Sequence, residues 1–336
     1  MPSTTTPARP TLTTATTAPS VYGFGIVIGS AALFGTLGPL SRVAYDLGVE
    51  PPAWVAWRAV IGLLTLAAVI AWRVRRGTAT LVRPADLSTR ARTTLLLAGF
   101  TGFALNTCIF AAFDRVTIAL ALLCFYTFPA MVAVVGVATG RERLDGPRTF
   151  ALVLSIAGMI AVVAAQLDPA AGITIDPIGI LFAFGAALSQ TVYVTVARGY
   201  KAVPSDQAIA IVMAFTVVGA TVLALLGGSA ATLAMPLTTP DLVPVLLFTG
   251  VFAAALPSLG FLEGIRAIGG LRAGILMLFE PVVGVALAAI FLGESLTPVQ
   301  VAGAVAILGA AVILQRTART PDDPSAHTAV AVGGGP

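Results

Sequence analysis

The sequence predicts an all-α integral membrane protein of ten transmembrane helices, arranged as two inverted five-helix repeats. Three observations lead there. Apolar residues make up 57% of the chain and charged residues only 10%, against about 25% charged in soluble domains. Ten stretches are long and apolar enough to cross a bilayer, which takes roughly 20 residues each. The segment from Leu278 to Leu296, with Glu280-Pro281 followed by Gly293-Glu294-Ser295-Leu296, also has a partner 152 positions earlier. There Pro129 stands for Pro281, Glu142 for Glu294 and Leu144 for Leu296.

In chain order the spans are expected near 21–44, 52–72, 94–113, 117–139, 147–166, 177–197, 206–227, 241–263, 271–292 and 298–315. Residues 1–20 are mostly Thr, Pro and Ala with Arg9 as the one charge, and 316–336 are again rich in Pro, Asp, Gly and Ala. Both read as disordered cytoplasmic tails with too little apolar surface to fold. The first is not a signal peptide, because the apolar segment after it is too long. The repeats are assigned to 21–166 and 177–315.

Span 1 carries Gly38-Pro39 and span 2 carries Arg58 beside Trp54 and Trp57. Arg58 has two escapes from the bilayer: it can snorkel to the outer interface, where tryptophans collect, or turn inward to an anion or a buried acid. Span 3 holds Asn106 and Thr107, and span 4 holds Tyr126, Thr127 and Pro129. Span 6 is unusually polar, with Ser189, Gln190, Thr191, Tyr193 and Thr195; polar groups on more than one face should look into a cavity or other helices. Gln190 and Tyr193, three apart, share a face.

Span 8 contains Pro257-Ser258 and ends near Glu263, which is spaced to pair with Arg266 at the surface. Glu280, about ten residues into span 9, sits where an acid costs about 2.5 to 3.5 kcal/mol. A carboxyl at that depth suits the binding of a proton or a cationic solute group. The competing reading is that it satisfies backbone groups freed by Pro281. Its counterpart in the first half is Phe128, so the repeat itself does not require an acid. Before span 10, Thr297-Pro298-Val299-Gln300 reads as a capping box with Pro at the first helical position. Ala302, Ala306 and Ala310, with Gly303 and Gly309, permit a close helix approach, either within the chain or between two copies.

Placing the amino terminus inside puts 16 of the 19 basic residues on the cytoplasmic side, as retention of positive loops requires. Five spans per repeat is an odd number, so the second copy enters from the opposite face. The repeats are therefore inverted, an arrangement that places a solute site between the halves. Both termini are expected in the cytoplasm.

The residues Tyr126-x-x-Pro129 with Gly140-Arg141-Glu142-Arg143-Leu144, Glu280-Pro281 with Gly293-Glu294-Ser295-Leu296-Thr297, and Trp57-Arg58-Ala59 resemble the EamA-type branch of the drug/metabolite transporter superfamily. The first copy departs by having Arg141 between the Gly and the Glu. The resemblance implies a ten-helix carrier in which spans 1 to 4 and 6 to 9 surround a cavity while spans 5 and 10 brace the outside. The expected function is secondary transport of a small metabolite, amino-acid-like or otherwise small and polar or amphipathic, or of a drug, across the cytoplasmic membrane. Efflux by alternating access is the leading form; an uncoupled facilitator or lipid scramblase on the same fold is the alternative.

The substrate-binding or coupling candidates are Glu280, Arg58, Asn106, Tyr126, Gln190, Tyr193, Ser258 and Glu263. Pro39, Pro129, Pro257 and Pro281 are the expected helix kinks. Enzyme chemistry is not expected: the one histidine, His327, lies in a tail, and the one lysine, Lys201, follows Tyr200 and not a Gly-rich loop, so triads, His-ligated metals and phosphate loops have no residues to build them. Cys108 and Cys124 read as packing residues. No cofactor, metal or nucleic acid is expected. A small-molecule solute and the bilayer are the expected partners, with a proton as the coupling ion and a monomer or homodimer as the working unit.

Overall fold

The structure, a computed structural model, describes residues 21–140, 144–165, 176–197, 203–292 and 297–319. The tail segments 1–20 and 320–336, the joints with Glu142 and Glu294, and Lys201 lie outside them. Ten helices among the described residues are long and apolar enough to span a membrane. Spans 1 to 5 are Val21–Asp46, Pro51–Arg75, Thr89–Arg115, Ile118–Ala138 and Gly146–Ala164. Spans 6 to 10 are Pro177–Ala197, Ser205–Leu226, Leu242–Ile268, Gly270–Leu287 and Pro298–Arg316. The protein is thus a multi-pass membrane protein.

Several helices outrun the apolar stretches that announced them. Span 2 continues to Arg75, because long cationic side chains can keep their heads in water while their stems cover the helix end. Span 8 runs five residues past Glu263 and stops at Gly269, whose φ of 91° a side chain would resist. The last helix continues to Arg319, so 316–319, assigned to the tail, extend span 10.

Three spans are broken. Span 1 divides into Val21–Phe34 and Leu37–Asp46, span 4 into Ile118–Phe125 and Phe128–Ala138, and span 9 into Gly270–Met277 and Glu280–Leu292. The breaks in spans 4 and 9 fall at the same place in the repeat. Proline explains each: it has no N–H to give the carbonyl four residues back and its ring crowds that carbonyl. Pro39, Pro129 and Pro281 therefore open the helix at Gly35, Phe125 and Met277. Pro257 acts on span 8 differently. The turn before it widens into a π-helix at Val251–Ala255, where the Leu256 amide reaches back to Val251.

The halves interlock. Span 3 packs along span 6, span 8 along span 1, span 2 along span 7, and span 5 along span 10, each pair joining one repeat to the other. Ties at the ends reinforce this. Trp57 donates to the Leu233 carbonyl at 2.9 Å, Ser229 bonds to Glu50, and Arg115 pairs with Asp176 at 3.1 Å. Asp176 also accepts the amides of Ile178 and Gly179 at the start of span 6. The Arg115 guanidinium, helped by these amides, holds the Asp176 carboxyl below its usual range.

At the opposite end Arg73 meets Asp206 at 2.5 Å, linking span 2 to span 7. Asp206 is only 2% exposed and also accepts the Gln207 amide. Asp206→Ala leaves that amide and a half-exposed arginine without their acceptor. It is expected to lower stability by about 2 kcal/mol, below the full cost of breaking a doubly buried pair, in a melting measurement with Arg73→Ala as comparison.

The small-residue stripe of span 10 is used inside the chain. Cβ atoms built on Gly158 and Gly303 would lie 2.6 and 2.5 Å from each other's carbonyl oxygens, so spans 5 and 10 cross in backbone contact. Ala310 is fully buried. The capping box forms as read: the Gln300 amide donates to the Thr297 hydroxyl at 3.2 Å and the Thr297 amide to Gln300 Oε1 at 2.8 Å. Large apolar side chains such as Leu64, Val134, Leu181 and Ile290 face outward, as a lipid-facing surface allows.

Candidate functional site

A cavity of about 130 Å³ lies between the halves, bordered by spans 1 to 4 and 6 to 9. By the volume one water occupies in the liquid, about 30 Å³, it has room for roughly four. Six of the eight sequence candidates line it: Arg58, Asn106, Gln190, Tyr193, Ser258 and Glu280. Its wall repeats the duplication. A shift of 152 carries Gly102, Asn106, Ile109, Phe125 and Phe128 onto Ala254, Ser258, Phe261, Met277 and Glu280, and both members of every pair touch the cavity. A shift of 154 does the same for Val55, Arg58 and Ala59 with Ile209, Val212 and Met213. The two charged residues are the exceptions in kind: the mate of Arg58 is Val212 and that of Glu280 is Phe128.

Arg58 turns inward. It is 3% exposed and its guanidinium carbon stands 4.5 Å from the Phe110 ring centre and 5.7 Å from that of Trp54. One of its nitrogens donates at 3.2 Å to the carbonyl of Ala253, which lies in the π-helical turn of span 8. Its Nε has no partner, and no carboxylate among the described residues lies within ion-pair distance. Trp54 is fully buried and donates to Ser41 at 3.1 Å.

Glu280 begins the second half-helix of span 9, where an acid is favoured by the helix dipole, and is half-buried on the cavity wall. The Met277 carbonyl freed by Pro281 is met by the Tyr126 hydroxyl at 3.2 Å. Gly35 lets span 1 approach this point, since a Cβ there would lie 2.9 Å from the Glu280 carbonyl oxygen.

The remaining candidates divide. Gln190 is buried with Oε1 unpartnered. Asn106 donates back to the Gly102 carbonyl at 2.9 Å. Thr191 and Thr195 close on their own helix, at Ala187 and Thr191, which removes that face of span 6 from the cavity. Tyr126 is fully buried behind the wall and not part of it. Glu263 is off the wall as well, and its expected pairing with Arg266 does not form. Arg266 reaches across to Ser205 and the Val203 carbonyl, which tie the end of span 8 to the start of span 7.

The profile of the EamA-like transporter family matches residues 21–164 and again 177–316. The chain belongs to this family. A solved crystal structure superimposes on this EamA-like transporter with a TM-score of 0.65 at 18% identity, over 89% of this chain and 97% of that one. At that identity the likeness shows the fold alone. No curated protein matches the sequence significantly.

What sequence reasoning missed in this EamA-like transporter is the aromatic part of the wall: Phe34, Phe110, Phe113, Phe125, Phe128 and Phe261. A phenylalanine in an apolar span gives no sign of whether it faces lipid or a cavity. The duplication held a usable signal, because Ile109 and Phe261 occupy matched positions in spans already suspected.

Through its bond to the Met277 carbonyl, Tyr126 joins the two matched breaks. Tyr126→Phe keeps the ring against Phe125 and Phe128 and strands the Met277 carbonyl. The expected loss is about 1 kcal/mol, with solute affinity unchanged and the transport rate reduced. An equal fall in both would place Tyr126 in the binding surface.

Proposed function

We propose that this chain is a secondary transporter carrying a small polar or amphipathic solute, amino-acid-like or a drug of that size, outward across the cytoplasmic membrane by alternating access. The observation that supports this reading is the cavity whose wall is shared by both inverted halves beside the breaks in spans 4 and 9. Broken helices at a repeat interface supply both polar groups and hinges, and rocking one half against the other exposes such a site to each side in turn. The lopsided distribution of arginine supports cytoplasmic termini.

Protons are the proposed coupling ion, with Glu280 as their site. One carboxylate holds either a proton or a cationic group of the solute, not both. A proton arriving from outside then displaces the solute, which is exchange and therefore efflux.

The test uses purified protein in vesicles with a radiolabelled solute and an imposed pH difference. Accumulation against the solute gradient, abolished when the pH difference is collapsed, is expected. Equilibration without accumulation would make it a facilitator, and loss of leaflet asymmetry of a labelled lipid would make it a scramblase.

A further inference from the structure

We infer that the segment joining spans 2 and 3 is a binding site for anionic phospholipid headgroups, a shelf of arginines set over the lipid-facing sides of both helices. The inference is independent of what the cavity carries. From Trp72 to Arg92 the chain has six arginines, Arg73, Arg75, Arg76, Arg83, Arg90 and Arg92, against one acid, Asp86. Among the described residues only Arg73 has an acidic partner, Asp206 of span 7. The other five are exposed and stand outside ion-pair distance of any described carboxylate.

Retention of a positive loop on one side of a membrane needs charge alone. It does not need the loop to be held in one shape, and this loop is. Span 2 ends at Arg75, and Gly77, with a φ of 68°, turns the chain. Thr78 then donates its amide and its hydroxyl to the Arg73 carbonyl at 2.9 and 3.0 Å. Gln207 grips the next stretch: its Nε2 donates to the Thr80 carbonyl at 2.8 Å and its Oε1 accepts the Val82 amide at 3.0 Å. Because Gln207 follows Asp206, the end of span 2 and the loop are fastened to the same place on span 7. Arg92 secures the far end by donating to the Ala85 carbonyl at 2.8 Å, and the Ser88 hydroxyl caps span 3 by accepting the Ala91 amide. The arginines therefore project from a fixed platform.

Apolar side chains continue each helix below them. On span 3, Arg92, Leu96 and Phe100 follow one another at four-residue spacing on one face, and all three are exposed. On span 2 the Arg76 guanidinium carbon lies 4.5 Å from the Trp72 ring centre, and Trp72 is 53% exposed. Val69, three residues before it on the same face, is exposed as well. Each stripe puts a guanidinium at headgroup level and apolar groups at the depth of acyl chains, with a tryptophan at the interface where such rings anchor. Basic clusters of about four to eight residues beside a spanning helix attract anionic lipid. A guanidinium can also give a phosphate two parallel donors, and the segment contains no lysine. A zwitterionic headgroup brings its own ammonium and gains less from the same shelf.

The experiment reconstitutes the full chain in vesicles of phosphatidylglycerol and phosphatidylcholine in equal parts, with bromine on the chains of one lipid or the other, and reads the quenching of tryptophan fluorescence. Subtracting the signal of Trp72→Phe isolates the tryptophan on the shelf from Trp54 and Trp57. Phosphatidylglycerol is expected around Trp72 at about threefold or more over its share of the bilayer. Arg75→Gln, Arg83→Gln and Arg90→Gln combined should return it to that share. Arg42→Gln, which removes an exposed arginine near the opposite end of the molecule, should leave the enrichment unchanged. Glycerol 3-phosphate at millimolar concentration should not displace the lipid. The inference is overturned by the absence of enrichment in the unaltered protein, by enrichment that survives the combined substitution, or by displacement with glycerol 3-phosphate, which would make the site one for free phosphate esters. If the combined variant fails to insert, Arg83→Gln and Arg90→Gln taken singly should each lower the enrichment, and no loss in either overturns it equally.

Discussion

Glu280→Gln abolishes accumulation driven by a pH difference while solute exchange at saturating concentration persists: this is the expected result in vesicles. Glutamine keeps the length and an acceptor oxygen of the side chain, so the cavity wall keeps its shape and the cavity can still be occupied. It cannot take up or give off a proton. The link between proton movement and the return of the empty site is thereby removed. The same substitution deletes an acid whose placement in a spanning helix costs about 2.5 to 3.5 kcal/mol on insertion scales, so the melting temperature should stay level or rise. Loss of accumulation with undiminished stability separates a coupling defect from misfolding. Accumulation that survives in Glu280→Gln would move the proton site elsewhere.

Gly303→Leu is expected to have the largest effect on stability. At this crossing each glycine of the pair with Gly158 faces the other's carbonyl oxygen at about the distance a Cβ cannot tolerate. The obstacle is main chain and cannot rotate away. Overpacking a yielding core costs about 1 to 3 kcal/mol; an unyielding backbone puts this substitution at the upper end or above it. Lipid is as apolar as the contact it would replace, so helix association depends on close packing, and a wedge at Gly303 loosens span 10 along Ala306 and Ile307. A melting curve shifted down by several degrees, or failure to recover monodisperse protein, is expected. Leu308→Ala, on a face that is 45% exposed, should change little. Equal melting of Gly303→Leu and the unaltered protein would contradict the packing described.

Much of this was legible in the chain. The ten spans, their inversion and the capping box at Thr297 follow from local chemistry: apolar length, charge asymmetry and spacing. The inward group Asn106, Gln190, Tyr193, Ser258 and Glu280 was legible because polar atoms have nowhere to go in lipid. What was not legible depends on who faces whom. Whether Arg58 snorkels or turns inward depends on an acceptor, the carbonyl of Ala253, nearly two hundred residues away. Tyr126 was drawn to the site for its polarity, yet its hydroxyl is spent on a carbonyl that Pro281 released. Glu263 and Arg266 have the right spacing to pair, yet Arg266 bonds to Ser205 and the Val203 carbonyl at the start of span 7. Thr191 and Thr195 satisfy themselves. In each case the residue type was informative and the partner was not.

The matched wall also means that the electrical polarity of the cavity resides in four positions and not in the architecture. Arg58 and Val212 exchange places under the pseudo-twofold, as do Phe128 and Glu280. Swapping both pairs would leave a wall of the same composition, read from the opposite side of the membrane. A lineage built on this duplicated frame can therefore reverse the electrical polarity of its cavity without redesigning a single helix.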